Sequence, residues 1–91
     1  MKFYRISSAL IKNVLWRMDR TEVGVAKGTI AHMRRAGSKK RPQEVWIMFE
    51  PLKPGLVRMI SAWRYPGVSK VRAPIPIPQD IEEEVKKMYR V

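Results

Sequence analysis

The residues from Glu44 to Arg64 limit the possible folds more than any other stretch. Val45, Ile47 and Phe49 alternate with Trp46, Met48 and Glu50, the period of two that marks a strand. Val57, Met59, Ser61 and Trp63 then alternate with Arg58, Ile60, Ala62 and Arg64. Between the two runs, Pro51-Leu52-Lys53-Pro54-Gly55 predicts the turn of a hairpin. An isolated pair of strands is marginal in water, so this hairpin needs at least a third strand. In an unbroken second strand Arg58 and Arg64 share one face, about 20 Å apart, with Ile60 and Ala62 between them. A phosphate backbone can lie across such a surface.

Charge decides which partners suit it. The chain has a net charge of +11, and the surplus belongs to its body. Residues 1–78 hold sixteen Lys and Arg against Asp19, Glu22, Glu44 and Glu50, whereas residues 79–91 hold three basic and four acidic groups. That field favours a polyanion, whether nucleic acid, an anionic membrane or an acidic protein. With 45% hydrophobic residues and three tryptophans, the sequence predicts one packed domain over residues 1–91 rather than a disordered basic arm. It has neither an apolar run long enough to span a membrane nor a signal-peptide core, which points to a cytoplasmic protein with no membrane partner. Cysteine is absent and His32 is the single histidine, so no metal site and no cofactor are expected.

Along the chain, Met1–Ile6 reads as an edge strand or a lead-in. Ser7 or Ser8 can cap a helix reaching Met18, in which Leu10, Ile11, Val14, Leu15 and Met18 recur at helical spacing. Residues 21–36 are ambiguous. Thr21-Glu22 can open a short helix, against which Gly24 and Gly28 act, while residues 28–33 fit either a strand or a helix capped by Thr29. The hairpin's need for a third strand favours strand.

The segment Arg34–Arg41 places five cations in eight residues, and Gly37, Ser38 and Pro42 mark it as a loop. Such a run is either a solvated turn or a phosphate contact; beside arginine-bearing strands, contact is favoured. Pro66-Gly67 makes a turn after Tyr65, and Lys70 and Arg72 continue the positive run. Pro74-Ile75-Pro76-Ile77-Pro78 is an extended strap, so residues 72–79 form a crossover to the last helix. That helix begins at Asp80, with Glu82, Glu83 and Glu84 near its positive end and Lys86, Lys87 and Arg90 near the other. It would dock through Ile81, Val85 and Met88. The candidate nucleic-acid contacts are therefore Arg34, Arg35, Lys39, Lys40, Arg41, Arg58, Arg64, Lys70 and Arg72.

The sequence holds no glycine-rich phosphate loop, no nucleophile elbow and no close carboxylate pair in its body. Metal-independent RNA cleavage by transesterification is the reaction these residues suit. Arginines can stabilise charge on the phosphate, His32 can move a proton near neutral pH, and Tyr65 can stack a base or hold a hydroxyl. His32 equally suits the edge of a core, and Tyr65 a ring packed beside Pro66.

The order of elements resembles the small RelE/barnase-like RNase superfamily, which includes the toxins of type II toxin–antitoxin pairs. Arg58-Met59-Ile60-Ser61-Ala62-Trp63-Arg64 is similar to the Arg-x-Ile-Ser-Ala-Arg strand of BrnT-type toxins, with one residue extra. The resemblance implies an endoribonuclease with Arg58, Arg64 and Tyr65 at its site, and an acidic protein partner such as an antitoxin. The proline-rich crossover after Gly67 departs from the family pattern.

The expected architecture is α+β: an N-terminal helix, a three-stranded antiparallel sheet with a basic face, and a C-terminal helix. Three functions stay open. One is a nucleic-acid-binding module, with RNA favoured over duplex DNA because no base-reading helix stands out. The others are an RNase-like enzyme and a non-catalytic domain that holds an acidic partner.

Overall fold

Ser7 caps the first helix, α1 (Ser8–Trp16), its Oγ accepting the backbone N–H of Leu10 at 3.1 Å. The helix stops short of Met18, and the N–H of Arg17 closes its last turn on the carbonyl of Asn13 at 2.8 Å. The computed structural model describes residues 6–70 and 74–88, with the backbone alone at 86–88. The lead-in at Met1–Arg5, Arg72, Arg90 and the side chains of Lys86, Lys87 and Met88 lie outside the described residues.

Four strands follow α1: β1 (Arg20–Val23), β2 (Ile30–Gly37), β3 (Pro42–Lys53) and β4 (Leu56–Pro66). They pair antiparallel in chain order. The expected three-stranded sheet is thus corrected to four strands, and residues 21–23 are strand rather than the start of a helix. Only Val23 is apolar in β1, so the strand lacks the alternation that marks its neighbours. A turn forms it instead: the N–H of Gly24 meets the carbonyl of Thr29 at 2.9 Å, and the Thr29 hydroxyl donates to the carbonyl of Ala26 at 2.5 Å.

The central hairpin has a shorter turn than its prolines suggest. Strand pairing continues through Pro51 to Lys53, leaving Pro54-Gly55 as a two-residue loop with Gly55 at φ +80°. Proline before a left-handed glycine is the type II arrangement. At Pro51 β3 is paired on one side only, with Val57 of β4, because β2 pairing ends at Phe49, and proline is tolerated at such an edge.

Both faces of the sheet are buried, because β3 is apolar in both registers. Val45, Ile47 and Phe49 join Ala62 beneath Val14 of α1. Trp46 and Met48 join Met33, Ile60 and Trp63 against Ile81 and Val85 of the second helix, α2 (Gln79–Met88). The strap residues Ile75 and Ile77 pack on this second face. Antiparallel sheets commonly leave one face to water, but here burying Val45 or Ile47 contributes roughly 1.5–3 kcal/mol each. The expected basic sheet face is therefore replaced by two covered faces, which leaves the cations to the rims.

One end of the sheet, the loop end, gathers the β2–β3 loop, the start of β3 and the end of β4. The other, the hairpin end, carries the Pro54-Gly55 turn and the β1–β2 turn. Among the described residues no helix is long and apolar enough to cross a membrane.

Candidate nucleic-acid interface

The loop end is built from Gly37 outward. Gly37 takes φ +77°, and Ser38 closes the turn by donating its N–H to the Arg41 carbonyl at 3.2 Å and accepting the Arg41 N–H through Oγ at 3.1 Å. These two bonds close the loop between Ser38 and Arg41, and Lys39, Lys40 and Arg41 stand exposed.

Strand register adds further cations beside the loop. Arg34 of β2, Val45 of β3 and Arg64 of β4 form one row on the α1 face. The two arginines flank buried Val45 and are two strand spacings apart, about 10 Å. Nη1 of Arg34 donates to the carbonyl of Arg17 at 3.3 Å, tying this row to the end of α1. On the opposite face at the same end, Arg35, Glu44 and Tyr65 form a second row.

Residues 67–70 close over that second row. The Gly67 N–H donates to the Pro42 carbonyl at 2.8 Å. Glu44, fully buried, accepts from Trp46 Nε1 at 3.0 Å, from the Ser69 N–H at 3.0 Å and from the Ser69 hydroxyl at 2.6 Å. Arg20 lies over the Trp46 ring, 5.3 Å from its centroid, and donates to Ser69 Oγ at 3.0 Å and to the Lys70 carbonyl at 3.2 Å. Its guanidinium also pairs with Glu22. This network fixes Ser69 and Lys70 at the loop end, which residue types alone did not reveal.

The electrostatic result is lopsided. Among the described residues, none of Arg34, Arg35, Lys39, Lys40, Arg41, Arg64 and Lys70 is in an ion pair. The body's four carboxylates all have partners, and two of them, Glu44 and Asp19, lie at the loop end itself. Glu22 pairs with Arg20, Glu50 with Arg58, Glu44 is buried, and Asp19 accepts the backbone N–H of Arg35 at 2.7 Å. The loop end therefore keeps a surplus of positive charge, since its cations outnumber these two carboxylates.

The four residues considered for RNA cleavage do not converge. Met48 pairs with Ser61 but Phe49 with Met59, so β4 carries one extra residue in a bulge at Ile60-Ser61. The bulge turns Arg58 to the α2 face at the hairpin end, where it pairs with Glu50. Arg64 remains on the α1 face at the loop end, and Tyr65 is on the α2 face against the tryptophan cluster. His32 lies under α1, edge-on to Phe49 at 4.8 Å, with Nδ1 3.1 Å from the carbonyl of Leu15. Burial pushes its pKa down from the ordinary value, partly opposed by hydrogen bonds to the Leu15 and Val14 backbone. A neutral ring that donates Nδ1–H to Leu15 follows.

Sequence reading also passed over Trp16. It is 72% exposed at the end of α1, whereas Trp46 and Trp63 are 0% and 1% exposed. Its position off the Leu10-Ile11-Val14-Leu15 stripe is the signal that finds it, because an aromatic outside the core stripe of an amphipathic helix faces water. No protein-family model, no curated protein and no solved structure matches this chain.

Proposed function

We propose that this protein is a nucleic-acid-binding module that grips the phosphate backbone with the loop end of its sheet. The observation that carries the reading is the set of unpaired cations there: Arg34 and Arg64 on one face, Arg35 and Lys70 on the other, and Lys39, Lys40 and Arg41 between. Arginine and lysine so placed contact phosphate without reading sequence, and the resulting affinity falls steeply with salt. RNA is favoured over duplex DNA because neither helix suits the major groove. α1 packs its apolar stripe on the sheet, and α2 opens with Asp80 and Glu82. The reading is one of binding: His32, Arg58, Arg64 and Tyr65 occupy separate places and do not make a transesterification site together.

The test is binding of mixed-sequence RNA at low and moderate salt, with strand integrity followed in the same samples. An Arg34→Ser/Arg64→Ser variant should bind at least about tenfold more weakly, roughly 1.4 kcal/mol, and leave the RNA intact. Arg58→Ser, altered at the other end, should bind like the parent. Equal losses in both variants, or no binding by the parent at low salt, would reject the loop end as the interface.

A further inference from the structure

Trp16 stands out because it is both exposed and placed beside the cations just described. It is 72% exposed at the last position of α1. It also borders a slot of about 230 Å3 that lies between the end of α1 and the hairpin turn, where Leu15, Met18, His32, Phe49, Gly55 and Val57 complete the lining. The next residue is exposed Arg17, whose carbonyl accepts from Arg34. A continuous series therefore runs from an aromatic ring beside an apolar slot, through Arg17 and Arg34, along β2 to the Lys39–Arg41 loop. Among the described residues, a larger cleft of about 530 Å3 between α1 and Met59 is lined by no aromatic side chain and by Lys12 as its cation.

We infer that the ligand of this surface is a single-stranded nucleic acid, bound with one base stacked on Trp16 at the slot and its phosphates passing over Arg17, Arg34 and the β2–β3 loop. The inference rests on the loop end being a phosphate-binding surface and adds what kind of strand it takes. Aromatic platforms beside basic tracks hold single strands because every base has a π-face, whereas paired bases in a duplex are already stacked on one another. Two alternatives for Trp16 fit less well. A second copy of this chain would bring another +11 charge against the same cations. A core role is excluded by the exposure of the ring.

The protein carries its own reporter, since Trp46 and Trp63 are buried and stacked on each other with centroids 6.1 Å apart. Quenching of tryptophan fluorescence by added oligonucleotide would therefore arise chiefly at Trp16. The probe is a mixed-sequence RNA single strand of roughly a dozen nucleotides, compared with the duplex of the same sequence. The single strand should quench the emission, and Trp16→Ala should weaken its binding about tenfold, within the range for loss of one stacked base. Trp16→Phe should recover most of that loss, and duplex binding should be unchanged by either substitution. Salt-sensitive binding without quenching, or a Trp16→Ala variant that binds like the parent, would overturn the stacked base while leaving the phosphate surface standing. Equal loss on strand and duplex would also overturn it. Absence of binding to either probe would reject both proposals.

Discussion

Glu44 and His32 show how burial changes what a residue can do. A carboxylate in the interior is costly unless its oxygens are satisfied, and Glu44 has three donors from Trp46 and Ser69. It works as an anchor for residues 67–70. Nothing in Gln43-Glu44-Val45 marks that burial, since charge alone places a glutamate outside. His32 has the opposite history: a residue type suited to proton transfer, here enclosed beneath α1. Its pKa in the folded protein lies below 6.5, so the unfolded chain takes up the proton more readily. The His32 contribution to stability is complete above pH 6.5, is lost as the pH falls from there towards the lowered folded value, and changes no further below it. Urea midpoints taken in steps from roughly pH 7.5 to 5.5 should therefore fall, and His32→Gln should flatten that part of the profile. An unchanged slope in the variant would mean that other groups carry it.

Elements were legible where the pattern belongs to the element itself and illegible where it depends on a neighbour. α1, α2 and the β3–β4 hairpin each carry their own periodicity or turn residues, and each forms. β1 has no periodicity of its own and exists through its turn and its pairing with β2. The bulge at Ile60-Ser61 is likewise a property of two strands, because an extra residue has meaning only against a partner's count. Reading β4 as unbroken put Arg58 and Arg64 on one face; the bulge puts them on opposite faces. The Lys39–Arg41 loop was visible as charge and glycine, and its glycine gives a test at this scale. A methyl group at Gly55 meets no atom within 4 Å, so Gly55→Ala costs only the strain of φ +80°, roughly 1 kcal/mol or somewhat more. At Gly37 the same strain is joined by overlap with the Arg41 carbonyl oxygen. Thermal unfolding should rank parent, Gly55→Ala, Gly37→Ala in falling order. The reverse order would show that the β2–β3 loop rearranges freely and is not held by the Ser38–Arg41 hydrogen bonds.

For the whole molecule, the distribution of charge matters more than its total. A net +11 spread evenly would attract any polyanion to any side, and its binding would respond alike to the loss of any cation. The fold breaks that equivalence. Ion pairs reduce the field at Arg20 and Arg58, the acidic first turn of α2 lies after the strap, and among the described residues more of the cations outside ion pairs lie where β2, β3 and β4 reach the loop end than at the hairpin end, which has Lys27 and Lys53. Salt titration separates these descriptions, because each phosphate contact lowers the logarithm of the binding constant by about 0.7 per decade of salt for a single strand. Replacing Lys39, Lys40 and Arg41 together by serine should make the slope shallower by about 2, as expected for three lost contacts. Removing Lys53 and Arg58 from the hairpin end should leave the slope where it was, although that change lowers the net charge by two, against three for the loop variant. If the slope instead follows net charge whichever end is altered, binding is a property of the overall field, and the loop end has no privileged role in it.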